Sequence, residues 1–273
     1  MLKFLNDPPG LKLSQIPPPK KPTSITFDTF TRNPQTRNIF IQLEPEAILP
    51  QEAKLISAAQ SYDYILTYNE KVLVTCPNAY KYIFGTTFVS ELDALLVSPF
   101  NKVFKLTCVT NDKQQTIGHK FRREVYFNQL QIKNIPTQFY KSNQSKLASI
   151  ANNPTLTSCE TSKIDLFKDA QFSLVIENSR QKDYFTEKLC DCLITSTIPI
   201  YYGCPNISDY FDTTGWIILE NDSMNDLLHK INKLTTLHYL IHLDTIAKNA
   251  EIVKKYMSLQ TNINNALSQI PTY

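Results

Sequence analysis

The residues best suited to chemistry lie in the stretch ENSRQKDYFTEK, Glu177 to Lys188. It follows the apolar run FSLVI and leads into LCDCLITSTIPIYYG. A connector between strand and helix in an α/β unit usually takes about 2–6 residues, and this one is longer and polar. Thr186 is a good N-cap, and a helix beginning after it aims unpaired N–H groups and a positive dipole end at the preceding loop. Lys188 falls in the first turn, where a cation opposes the dipole unless an anion sits beside it. The plainer reading is a solvated lysine. With only five glycines, at 10, 85, 118, 203 and 215, neither GxGxxG nor a P-loop can be written. A diphosphate bound here would be held by side chains and a helix start.

The elements that must position this loop alternate strand with helix. Apolar runs at 38–46, 63–69, 102–110, 172–178, 198–203 and 216–219 read as strands. Segments 52–62, 119–132, 186–196, 223–234 and 236–268 have helical spacing. The alternation predicts an α/β chain with mostly parallel sheets, as two Rossmann-like domains with a cleft between them. LLVSPFNK near 95–102 marks the boundary, giving a smaller N-terminal domain over 1–98 and a C-terminal domain with the C-terminal helices over 99–273. Residues 1–37, rich in proline and threonine, read as an irregular tail leading to a short strand. Ligands are expected at the carboxyl ends of the strands.

Bulk properties narrow the classes. The chain has 273 residues, 28 basic against 25 acidic, and a net charge of +3, too balanced for wrapping nucleic acid. No run approaches the roughly 20 apolar residues of a membrane span, and proline interrupts the first residues too early for a secretory h-region. The six cysteines fit no zinc spacing and read as reduced and structural, and no Asp-x-Asp metal motif follows a strand. The expectation is a cytoplasmic protein with no metal site.

FSLVIENSRQKDYFTEKLCDCLITSTIPIYYGCPNISDYF closely resembles the C-terminal signature of the α-1,3-fucosyltransferases, family 10 of the glycosyltransferases. The match is carried by Glu177, Asn178, Ser179, Tyr184, Thr186, Glu187, Lys188, Pro199, Gly203 and Pro205. Upstream, FKLTCVTNDKQQTIGHKFRREVY resembles the first strand of the family's donor domain and an arginine one helical turn before a tyrosine. Arg122 takes that arginine's place, with Arg123 as its neighbour and alternative. YDYILTYNEKV resembles the family's TYRRDSD region without its charged run. FIQLEPEAI resembles the segment bearing the catalytic glutamate, where Glu44 is the candidate and Glu46 the alternative. The resemblance runs from about 38 to 222.

The resemblance implies a GT-B-type, inverting transfer of fucose from GDP-fucose to a glycan hydroxyl, with no cofactor beyond the nucleotide sugar. It makes Glu44 the general base and Glu187 a carboxylate near the sugar or its developing positive charge. Arg122, Asn178, Tyr184, Thr186 and Lys188 become the donor grip. His119 is a further candidate for phosphate contact. Each has a plainer reading: a strand-end carboxylate for Glu44, a dipole-facing one for Glu187, a helix-face arginine, a core tyrosine, a capping histidine. Two other readings stay open, a transferase for another nucleotide sugar and an inactive nucleotide- or carbohydrate-binding module. Nucleotide sugar and glycan are the expected partners, with peripheral contact to a membrane-bound glycan left open.

Overall fold

Eleven strands among the described residues form two all-parallel sheets, and the chain divides into two units built around them. The computed structural model describes residues 1–6, 11–142, 145–147, 156–158 and 163–270. Cys159 lies outside these, and the other five cysteines are buried. No helix among the described residues is long and apolar enough to cross a membrane.

The first unit comprises Met1–Thr86, Gln181–Tyr184 and Ser258–Tyr273. Its sheet runs in simple order through β1 (Leu2–Phe4), β2 (Thr23–Phe27), β3 (Arg37–Ile41), β4 (Tyr64–Thr67) and β5 (Ala79–Lys81). The region expected to be an irregular tail therefore supplies two strands. TSITF is β-branched and aromatic, and all five of its residues are buried. The adjoining prolines hide it from a periodicity reading, although they end before its first ladder bond.

Strand alternation sends Phe40 and Ile65 to one face, where α1 (Glu52–Ala58) and α2 (Glu70–Thr75) cover them with Leu55 and Val72. Both helices are crossovers between successive parallel strands, so they lie on the same face. Ile25, Ile39, Ile41 and Leu66 point the other way and need a different cover. Ile263, Ala266, Leu267 and Ile270, from the end of the chain, join their cluster.

The second unit comprises Thr87–Arg180 and Phe185–Met257. It begins before the expected boundary at 98/99, because the Asp191 carboxylate accepts N–H groups of Phe88 at 2.8 Å and Val89 at 3.0 Å and so ties this segment to it. After α3 (Glu91–Leu95) come β6 (Val103–Thr110), α4 (Ile117–Phe127), β7 (Thr137–Lys141), β8 (Leu156–Ser158) and β9 (Ala170–Ile176). They are followed by α5 (Glu187–Ile194), β10 (Ile198–Tyr202), β11 (Ile217–Ile218), α6 (Met224–Ile231), α7 (Thr236–Leu240) and α8 (Leu243–Val253). The last helix, α9 (Leu259–Ser268), is the one returned to the first unit, so the C-terminal helices do not all stay with the second.

The second sheet has the order β11-β10-β9-β6-β7-β8. Sequence order reverses between β6 and β9, which makes this the topological switch point of a doubly wound sheet. Leu106, Cys108, Phe172, Leu174 and Ile176 pack with Phe121, Val125 and Tyr126 of α4 on one face. The alternate residues, among them Val109, Val175 and Glu177, face the other side.

Candidate functional site

The crevice at the switch point holds a cavity of about 600 Å³. The end of β6 and the loop after it, Val109 to Lys113, line one side, and Glu187, Lys188 and Asp191 of α5 line another. Arg122, Lys163 and Phe167 complete the part that bears on ligand chemistry. Every one of these residues belongs to the second unit.

The sequence favours this arrangement locally. Helix α5 starts because Thr186, with extended backbone, accepts the Lys188 N–H at 3.4 Å as N-cap. Helix α4 starts the same way, with the Thr116 hydroxyl accepting the His119 N–H at 3.2 Å. A Cβ on Gly118, in the first turn of α4, would fall 1.8 Å from the carbonyl oxygen of Glu177. Glycine is thus required for α4 to approach the end of β9.

Three consecutive residues at that strand end organise both expected cations. Arg122 donates to the Ile176 carbonyl and, at 2.8 Å, to Asn178 Oδ1. Glu177 is fully buried, and its carboxylate accepts the Thr186 N–H at 2.9 Å and the Thr186 hydroxyl at 2.7 Å. Lys188 Nζ lies 3.5 Å from Glu177 Oε2 and 3.0 Å from Glu187 Oε1, and donates to Thr186 Oγ1 at 3.0 Å. Burial alone would depress the Lys188 ammonium, but Glu187 and Glu177 together raise it above its ordinary value. Burial would likewise raise the Glu187 carboxyl, and Lys188 overrides it and holds it below the usual range. Lysine is therefore charged at neutral pH, as an anion site needs.

Arg122, Glu187 and Lys188 meet at the cavity as the sequence placed them, with Asn178 and Thr186 bonded directly behind. Arg123, the alternative, lies over the Phe127 ring, 5.2 Å from its centroid. Tyr184 is placed elsewhere: it is buried in the first unit against Tyr68 and Phe84, with ring centroids 5.1 and 5.6 Å away. Its plainer reading, core filling, is the one its packing matches. His119 is buried with Nδ1 2.8 Å from the Thr116 hydroxyl. Burial, then Arg122, Lys113 and Lys188, push it down to about 4, so it is neutral at pH 7.

Glu44 is exposed in the loop after β3 of the first unit, where its backbone N–H donates to Asp28. Glu46 is engaged otherwise. Its Oε2 accepts the N–H groups of Gln51 and Glu52 at 3.1 Å each, at the start of α1. The structure therefore gives Glu46 a helix-start role and leaves Glu44 as the exposed carboxylate of the pair.

Lys113, Lys163 and Asp191 were not among the residues picked out from the sequence. Lys113 and Lys163 add cations to the cavity wall. Asp191 lies one helical turn after Glu187, and burial pushes it up to about 6 against the hydrogen bonds from Thr87, Val89 and Phe88. The i,i+4 spacing of two acids after the N-cap was the available clue for Asp191.

Comparison with known proteins gives the family and the fold. Residues 102–264 match the family described as glycosyltransferase family 10 (fucosyltransferase), C-terminal part. An alpha-(1,3)-fucosyltransferase B of Drosophila melanogaster is 28% identical over 151 residues, covering 54% of this chain and 31% of the fly protein. The chain thus matches about a third of that relative's length. Among solved structures, TarM superposes with a TM-score of 0.61 at 13% identity, over 90% of this chain and 54% of TarM. An α1,3-fucosyltransferase with GDP superposes with a TM-score of 0.50 at 14% identity, over 87% of this chain and 79% of that one. These likenesses give the fold class as GT-B. With the matched segment spanning more than half of the chain and containing every cavity cation named above, this protein belongs to glycosyltransferase family 10, the fucosyltransferases.

Proposed function

We propose that the chain transfers fucose from GDP-fucose to a glycan hydroxyl with inversion at the anomeric carbon, needing no cofactor besides the donor. The observation that carries this reading is the convergence of Arg122, Lys188 and Glu187 on one cavity at the switch point, at the start of a capped helix. A guanidinium, an ammonium and the positive end of a helix dipole suit a diphosphate whose charge grows as it leaves. The likeness to a fucosyltransferase whose structure holds GDP supports the nucleotide.

In this reading Glu44 takes the proton of the acceptor hydroxyl as its oxygen bonds to the anomeric carbon. The bond from that carbon to the β-phosphate oxygen breaks, and its electrons leave with GDP. Arg122 and Lys188 receive the new charge, while Glu187 faces the positive charge developing on the sugar ring. Glu44 is preferred to Glu46 because the Glu46 carboxylate is held at the start of α1.

The test is release of nucleotide from GDP-, UDP- and TDP-sugars in the presence of a panel of glycan acceptors. Transfer from GDP-fucose alone is expected. Transfer from a UDP-sugar with none from GDP-fucose would overturn the donor assignment.

A further inference from the structure

Glu177 is fully buried, touches two residues of the proposed donor grip, and has no part in the reaction just described. It follows β9 directly and points to the same face as Val175. The surroundings are shaped to keep it there. A Cβ on Gly203 would fall 2.4 Å from the Tyr201 hydroxyl and 2.7 Å from Glu177 Cγ, and one on Gly118 would strike the Glu177 carbonyl oxygen. Two of the chain's five glycines thus stand where a side chain would collide with Glu177, Gly203 sharing its space with Tyr201 as well.

A buried carboxylate is costly to keep unless its oxygens are bonded. Here both are, and the donors are informative. The single proton of the Thr186 hydroxyl goes to Glu177 at 2.7 Å. Its oxygen is then left with only lone pairs to offer, and both the Lys188 N–H and the Lys188 ammonium donate to it. The carboxylate thus fixes the polarity of the cap hydroxyl, and the hydroxyl fixes the ammonium. The ammonium also meets Glu187, which is 20% exposed at the cavity, whereas Glu177 is 0% exposed. Glu187 can turn away when a phosphate arrives; Glu177 is enclosed.

We infer that Glu177 is a positioning residue for anion binding: through Thr186 it holds the Lys188 ammonium at the mouth of α5, in place for the terminal phosphate of a nucleoside diphosphate. This rests on the donor-site reading above and adds to it the group that sets the lysine's place. It makes a prediction whose sign is unusual. Removing a negative charge beside an anion site should, by electrostatics alone, tighten anion binding. If Glu177 positions, its neutral isostere weakens binding. A Gln at 177 brings an N–H₂ group that competes with the Thr186 hydroxyl proton, so the hydroxyl turns its proton toward Lys188 and displaces the ammonium.

The experiment is calorimetric titration of the full chain with GDP and with GMP. Glu177→Gln and Thr186→Val are expected to weaken GDP by roughly 10-fold, the scale of one charged hydrogen bond, and GMP by much less. Thr186→Ser, which keeps the hydroxyl, is expected to restore wild-type affinity. A variant that merely folds poorly lowers the number of sites per chain without changing the GDP-to-GMP ratio, and Thr186→Val keeps every charge. GDP binding to Glu177→Gln as tight as wild type or tighter would overturn the inference. So would equal losses for GDP and GMP. If the unaltered chain binds neither nucleotide, it is the donor-site reading that fails, so the two failures are distinguishable.

Discussion

The carboxylate of Asp28 accepts the backbone N–H of Glu44 at 3.0 Å and that of Leu43 at 2.9 Å. Asp28 sits just after β2 with φ of 52°, a left-handed conformation that aspartate tolerates better than most residues. Gln51 donates to the same carboxylate at 2.7 Å, and burial holds its pKa above the ordinary value despite these bonds. One turn residue therefore fixes the backbone on which the proposed base stands, sixteen positions away in sequence.

Glu44→Gln is expected to lower turnover by at least about 100-fold, the low end for loss of a general base, and to leave GDP affinity unchanged. Glu46→Gln is expected to keep turnover and to cost about 1 kcal/mol of stability, because a carboxylate is lost from the start of α1. Rates at saturating donor and urea unfolding of both variants check this. An active Glu44→Gln beside a dead Glu46→Gln would reverse the assignment.

Lys188→Ala and Arg122→Ala are each expected to weaken GDP by about 1.5–3 kcal/mol and GMP by less. The structure adds a second consequence for the arginine. Its guanidinium is the donor to the Ile176 carbonyl and to Asn178, so Arg122→Ala also lowers the unfolding midpoint. Calorimetry with both nucleotides, beside thermal melts, separates the effects. Equal losses for the two nucleotides would show that neither cation meets the terminal phosphate.

The signature loop and the alternating strands were legible because they are local patterns. Thr186 caps α5 for reasons present within a few residues. What escaped depends on pairing across long separations. β2 was hidden beside a proline run, yet it is central because β1 and β3 flank it. The return of α9 to the first sheet follows from a face that α1 and α2 leave uncovered, which no window of sequence displays. Tyr184 was drawn into the donor grip by its place in the motif, while its packing against Tyr68 and Phe84 depends on residues about a hundred positions away. Asp191 was missed because its partners Thr87, Phe88 and Val89 are as distant.

Asp191 and His119 should give opposing pH dependences of stability. Asp191 is pushed up from 3.8 to about 6, chiefly by burial and in part by Glu187. Between those values the folded chain keeps a proton that the unfolded chain releases, so stability falls as pH rises, by on the order of 3 kcal/mol in all. His119 is pushed down from 6.5 to about 4 by burial and by Arg122, Lys113 and Lys188. There the unfolded chain binds the extra proton, so stability rises with pH across that window. The wild type is expected to be nearly flat from pH 4 to 6. Asp191→Asn should expose the rising slope and His119→Gln the falling one in urea titrations at each pH. Parallel profiles for all three proteins would refute both assignments.

The last prediction concerns donor and metal. GDP is expected to bind more tightly than UDP, and transfer is expected to continue in EDTA. The base preference rests on the signature from Asn178 to Lys188 and on family membership. Metal independence rests on charge. Lys113, Arg122, Lys163 and Lys188 all line the cavity, and the start of α5 adds roughly half a positive charge. A divalent ion would need carboxylate or other oxygen ligands, and the acids at the cavity are engaged in other ways. Glu187 is paired with Lys188 at 3.0 Å, Asp191 accepts two backbone N–H groups and the Thr87 hydroxyl, and Asp112 bonds its own backbone, Ser145 and Lys146. Recruiting any of them to a metal would break a bond that now holds the site together. The cations are therefore expected to do the work a metal does elsewhere, neutralising the diphosphate as it departs. A rate in EDTA within about twofold of the untreated rate is expected, well short of the collapse that follows loss of a catalytic ion. Complete loss in EDTA with recovery on adding manganese would show that the charge balance was misjudged, and UDP competing as well as GDP would remove the guanine preference.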